Sequence, residues 1–103
     1  MPEQDKLLST MGLAKKAGRL VYGFDTVKNA VRERKARLVL IACDVSPKTR
    51  ENVEFMCSEK IPFIALSRTM EQLSTAVGKP TGVVALIDEG FVKLILGYMT
   101  DTK

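Results

Sequence analysis

Leu38-Val39-Leu40-Ile41-Ala42-Cys43 is an unbroken apolar run of strand length. It falls far short of the roughly 20 residues a bilayer span needs. It also lacks the every-other-residue alternation of a strand with one wet face. Such a strand is covered on both sides, which is the place of a central strand between two layers of helices. The stretch from Arg37 to Cys43 is therefore assigned to the middle of a sheet.

The rest of the chain supplies the layers. Leu7, Leu8, Met11 and Ala14 recur at helical spacing between Glu3 and Ala17, with Gly18 placed to end that helix in a left-handed conformation. Gly12, inside the same helix, predicts the close approach of another backbone. Arg19 to Tyr22 reads as a strand ending at Gly23; Asp25 then reads as the N-cap of a second helix carrying Val27, Ala30 and Val31. Ser46-Pro47 opens a third helix with the apolar stripe Val53, Met56, Cys57. Pro62 to Leu66 is a third strand, and Thr69 with Gln72 forms a capping box for a helix burying Met70, Leu73 and Val77 up to Gly78. Val83 to Ile87 is a fourth strand, and Asp88 caps a last helix whose Phe91, Leu94, Ile95 and Tyr98 share a side. Alternating helices and strands with short connections imply one domain over residues 1–103, an α/β/α sandwich around a four-stranded mixed sheet, frayed from Thr100 onward.

Charge is unevenly spread. Between Lys15 and Arg37 stand eight basic residues against two acids, a net of +6, while the rest of the chain sums to −2. Such a concentration suits a polyanionic partner, because phosphate contacts supply most non-specific nucleic-acid affinity; it also suits a plain solvated basic face. No apolar run is long enough for a membrane span, and Met1-Pro2-Glu3-Gln4-Asp5 lacks the basic-then-apolar order of a signal peptide. A cytoplasmic location is expected.

Catalytic machinery is hard to find. The chain has no histidine, and Cys43 and Cys57 alone fall short of a closed zinc site, so no metal and no cofactor are expected. Both cysteines read as small core residues in a reducing compartment. Gly78-Lys79-Pro80-Thr81 lacks the earlier glycine of a phosphate loop. Cys43 beside Asp44 at a strand exit is a candidate nucleophile without a base, and its alternative is a packed thiol beside an aspartate that shapes the turn before Pro47. More informative is Gly23-Phe24-Asp25-Thr26-Val27-Lys28, which opens a helix whose amides attract phosphates or base acceptors, with Lys28 and Arg32 on one face. An ordinary capped surface helix has the same local pattern. Leu66-Ser67-Arg68 leaves the third strand at the same edge, where Leu66 either packs in the core or meets an unpaired base.

Leu13-Ala14-Lys15-Lys16-Ala17-Gly18-Arg19-Leu20-Val21-Tyr22-Gly23, then Val27 to Arg32, then Ala36 to Pro47, resembles the kink-turn-binding ribosomal protein family of the seven-Ae and thirty-e type. The Leu-Ala-Lys-Lys-Ala-Gly-Arg stretch is most similar to its small bacterial YlxQ-type members, and the likeness continues through Ile61-Pro62-Phe63 and Gly78-Lys79-Pro80. The resemblance implies a sandwich that binds kink-turns, helix-bulge-helix RNA elements flanked by sheared G·A pairs, possessing no enzymatic activity. It places the second helix start at those pairs, through Gly23, Phe24, Asp25, Thr26 and Lys28. It assigns Arg32, Lys35 and Arg37 to the RNA backbone and Leu66, Ser67 and Arg68 to the bulged base. The archaeal pattern has Asn-Glu where this chain has Asp25-Thr26, so the hydrogen bonds to guanine edges differ.

The expectation is a monomeric, non-enzymatic protein on structured RNA, such as ribosomal RNA, with affinity from the Lys15 to Arg37 patch and specificity from the helix start. The rival is an interaction module or ribosome accessory factor whose basic face docks an acidic protein.

Overall fold

A computed structural model describes residues 6–58 and 60–100, with the backbone alone for 99 and 100. Among them the elements run α1 (Lys6–Lys16), β1 (Leu20–Tyr22), α2 (Phe24–Arg32), β2 (Leu38–Ile41), α3 (Pro47–Cys57), β3 (Phe63–Ala65), α4 (Met70–Val77), β4 (Val83–Leu86) and α5 (Glu89–Thr100). They form one four-stranded sheet in the order β1-β4-β2-β3. β4 is antiparallel to both β1 and β2, and β2 is parallel to β3, so the sheet is mixed.

The central apolar run does what its composition demands. All four residues of β2 and all four of β4 are buried. Side chains alternate between faces along a strand, and two separate clusters result. Leu38, Leu40, Val84 and Leu86 pack with Leu7 and Met11 of α1, Leu73 and Val77 of α4, and Ile95 of α5. Val39, Ile41, Val83 and Ala85 pack on the other face with Val27 and Ala30 of α2 and Val53 and Cys57 of α3. Three helices cover one side and two the other, the expected α/β/α sandwich. Gly12 lies where a Cβ would stand 3.1 Å from the Ala76 carbonyl oxygen, so α1 and α4 meet through the missing side chain. Gly18 holds the left-handed conformation expected of it, and Gly78, expected to close α4, does so in the same conformation.

Direction along the sheet positions the site. β1, β2 and β3 run the same way and β4 against them. The exits of β1, β2 and β3 and the start of β4 therefore share one rim, and α2 runs from that rim to the opposite one.

Several expectations need correction. Asp25 does not cap α2: the helix begins at Phe24, its N-cap is Gly23, and Asp25 lies inside the first turn. Met70 is 39% exposed because it is the first residue of α4, at the rim, where its sulfur covers Gly82 so closely that a Cβ there would lie 2.8 Å away. Leu94 is 50% exposed and Val92 takes the buried place beside Ile95. In α5 nearly every position is apolar, so spacing alone leaves the buried side undetermined. Cys43 is exposed rather than packed, because β2 ends at Ile41 and the thiol falls in the following turn; Cys57 is buried as expected. Residues 1–5 and 101–103, on which the expected start of the first helix and most of the expected fraying fall, lie outside the described residues.

Candidate nucleic-acid interface

The start of α2 is fixed from behind and open in front. Gly23 has φ 91° and ψ 141°, a region essentially restricted to glycine. Its N–H donates to the Val83 carbonyl at 3.0 Å and to Thr81 Oγ1 at 3.2 Å, which ties the turn to the start of β4. Thr81 in turn donates its hydroxyl to the Val83 carbonyl at 2.8 Å. The first bond of the helix runs from Val27 N–H to Gly23 O at 2.9 Å, so the amides of Phe24, Asp25 and Thr26 precede the ladder. No side chain caps this end. It carries the positive end of the helix dipole, worth roughly half a charge, and presents the exposed Asp25 and Thr26.

The β3–α4 loop stands at the same rim. Ser67 is exposed, and Arg68 Nη1 donates to Ser67 Oγ at 3.3 Å. Leu66, by contrast, is only 4% exposed and belongs to the core below the loop. The Cys43 amide donates to the Arg68 carbonyl at 2.8 Å, and the Met70 amide donates to Asp44 Oδ1 at 2.8 Å. Asp44 therefore ties the β2–α3 turn to the start of α4, where the sequence reading had it shape only its own turn. Thr81, the anchor of the Gly23 turn, is likewise unmarked in the sequence. Both act through contacts between distant segments, which leave no local pattern.

The basic residues divide. Lys15 and Lys16 line a groove between α1 and α4, and Lys15 Nζ lies 5.7 Å from the centre of the Tyr22 ring. Lys28, Arg32, Arg34 and Arg37 line a second groove, of about 1010 Å³, between α2 and α3 on the other face of the sheet. The expected single patch from Lys15 to Arg37 is thus two, because β1 lies between their segments and the sheet separates them. Within the second set, Lys28 lies nearest the open helix start, with Arg32 one turn on. Arg37 is close to the far rim, where it pairs with Glu89 at 3.8 Å, and Lys35 pairs with Glu33 at 3.3 Å. Exposed pairs of this kind are worth about 0–1 kcal/mol, so exchange for a phosphate costs little.

Chemistry elsewhere is sparse. Among the described residues no group of three or more His, Cys, Asp or Glu is placed to hold a metal ion, and no helix is long and apolar enough to cross a membrane. Burial pushes the Cys57 thiol above its ordinary pKa and keeps it protonated and unreactive.

The uncapped start of α2, with a basic groove beside it and a short polar loop at the same rim, gives this small α/β/α sandwich a surface on which an anion can be held. Residues 5–95 match the Ribosomal protein L7Ae/L30e/S12e/Gadd45 family, and the chain belongs to that family. It is 32% identical over 91 residues to the RNA-binding protein YlxQ of Enterococcus faecium, covering 87% of each chain. It is 34% identical over 92 residues to the RNA-binding protein YlxQ of Bacillus subtilis strain 168, covering 86% of this chain and 90% of that one. Its fold is similar, at a TM-score of 0.86 and 27% identity, to a Bacillus halodurans C protein of unknown function, covering 95% of this chain and all of that one.

Proposed function

We propose that this chain recognises a kink-turn or similarly bent structured RNA, with the start of α2 set against the sheared G·A pairs. Membership of a ribosomal-protein family and the likeness to relatives named RNA-binding proteins make it a non-enzymatic RNA-binding protein of ribosomal type. The observation that carries the finer reading is the uncapped start of α2, held in place by Gly23 and Thr81 and followed by Lys28. Three amides and the dipole address acceptors on a base edge or a phosphate, and Thr26 both donates and accepts.

In this reading Gly23 shapes the tip, Phe24 supports it, and Asp25, Thr26 and Lys28 face the G·A pairs. Arg32 meets the backbone; Lys35 and Arg37 act further along, through long-range attraction and exchangeable ion pairs. Ser67 and Arg68 cover the bulged base while buried Leu66 supports their loop from beneath. The protein acts as a cytoplasmic monomer and needs no cofactor. Replacing both sheared G·A pairs of a kink-turn RNA by Watson–Crick pairs tests the reading by gel shift or calorimetry. Affinity is expected to drop by at least 100-fold, and equal affinity for the two RNAs removes kink-turn recognition while leaving general RNA binding.

A further inference from the structure

Phe55 is 84% exposed, and nothing in the packing of α3 explains it. The buried residues of that helix are Val53 and Cys57, with Met56 half-buried beside them. Phe55 is out of phase with this stripe and points away from the sheet. A solitary exposed apolar residue is ordinary. This one lines the groove between α2 and α3, in company with five cations, Lys28, Arg32, Arg34, Arg37 and Lys60, and with no carboxylate among the described lining residues. Half-buried Val31, Met56 and Ile61 make its floor apolar.

Arg34 adds a second observation. Its φ is 64°, and the bonds Arg34 N–H to Val31 O (3.0 Å) and Lys35 N–H to Ala30 O (2.8 Å) close the end of α2 around it. That left-handed position is usually given to glycine. Here it holds an arginine that lines the groove.

We propose that the groove between α2 and α3 takes a single-stranded RNA segment leaving the bent element, with one base stacked on Phe55 and the neighbouring phosphates on Arg34, Arg37 and Lys60. The proposal deepens the RNA-binding reading and rests on it. An aromatic ring among cations is the arrangement that binds single strands, the ring taking a base face and the cations the backbone. Continuity selects the source of that strand. Phe24 and Lys28 belong both to the open start of α2 and to the groove, so RNA seated at the tip enters the groove without a break.

The test compares a compact kink-turn RNA with the same RNA carrying a ten-nucleotide single-stranded tail on each end in turn. Wild type is expected to bind one of the tailed RNAs about tenfold tighter. Phe55→Ala should abolish that gain and leave the compact RNA unchanged, Phe55→Tyr should retain it, and Arg34→Ala with Lys60→Ala should reduce it and its salt dependence. No gain from either tail, or a gain that survives Phe55→Ala, overturns the proposal. The ten-nucleotide strand alone, titrated while the Phe55 ring resonances are followed, separates the two readings. Shifts in that ring without binding of the compact RNA keep the groove and sink the kink-turn; compact binding without shifts or tail effect does the reverse. A photocrosslinker replacing Phe55 in cells should yield a ribonuclease-sensitive adduct, and a ribonuclease-resistant protein adduct in its place overturns an RNA occupant.

Discussion

The starts of α2 and α4 stand at the same rim and are finished in opposite ways. At α4, Thr69 N–H donates to Gln72 Oε1 at 2.9 Å, Gln72 N–H donates to Thr69 Oγ1 at 3.2 Å, and Met70 N–H donates to Asp44 Oδ1 at 2.8 Å. Ser46 caps α3 in the same manner, accepting from Thr49 N–H at 3.1 Å, and Asp88 accepts from Phe91 N–H at 3.2 Å in α5. At α2 no side chain performs that service. Polar residues are at hand, yet Asp25 and Thr26 lie inside the first turn, where their side chains are past the amides they might have capped. The difference separates two uses of a helix end. Satisfied donors stabilise the fold, while unsatisfied ones at a fixed position keep their capacity for a ligand.

Substituting the two glycines that frame these helices gives the strongest contrast. Gly23→Ala forces a Cβ into a conformation costing about 1–3 kcal/mol, and any relaxation swings the amides of α2 out of position. RNA affinity is expected to fall by at least tenfold beyond the loss of stability. Gly78→Ala, at φ 88° behind α4, should cost about 1–2 kcal/mol in thermal or denaturant unfolding, yet leave RNA affinity within twofold. Equal effects of the two variants on RNA would show that the α2 start has no special role. Next in size, Lys28→Ala with Arg32→Ala should weaken binding about tenfold and reduce the slope of log affinity against log salt by about 1.8, if each cation neutralises one phosphate. Stability should change by less than about 0.5 kcal/mol, since both side chains are exposed. An unchanged slope counts against phosphate contacts from this face of α2.

Local signals in the sequence carried most of the fold and part of the site. The apolar run of β2, the Thr69–Gln72 box, Ser46-Pro47 and the glycines at positions 18 and 78 each work through neighbours a few residues away; the caps and glycines stand as read, and β2 is central though it ends at Ile41, two residues short of Cys43. Phase was harder to read. In α5 a nearly continuous apolar face hid which side was buried, and Leu94 was put on the wrong one. Asp25 has a residue type favoured at caps, whereas the φ of Gly23 sets the helix boundary two residues earlier. Charge proximity along the chain misled more seriously: Lys15 and Lys28 are 13 residues apart but on opposite sides of the sheet. Phe55 left a signal that went unused, an aromatic ring out of phase with the Val53, Met56, Cys57 stripe.

Removing the cap of α4 should act on the other half of the comparison alone. Thr69→Ala takes away the acceptor for Gln72 N–H and is expected to lower stability by about 1 kcal/mol, read as a shifted denaturant midpoint with unchanged slope. RNA affinity should stay within twofold. A larger loss of affinity than Lys28→Ala produces would mean that the rim is recognised through the β3–α4 loop more than through α2.

The smallest effect is the most informative about chemistry at the tip. Asp25 sits in the first turn of α2, where a carboxylate interacts favourably with the helix dipole by about 0.3–1 kcal/mol. The same charge repels an approaching phosphate, and screening weakens both effects. Asp25→Asn keeps an acceptor, adds a donor and removes the charge. Binding at low salt should therefore tighten about two- to threefold, with the gain fading as salt is raised, while stability falls by a few tenths of a kcal/mol. Weaker binding by Asp25→Asn at every salt concentration would reverse the assignment. The carboxylate would then be accepting a hydrogen bond from a base edge, and Asp25 rather than Thr26 would be the residue that reads the RNA.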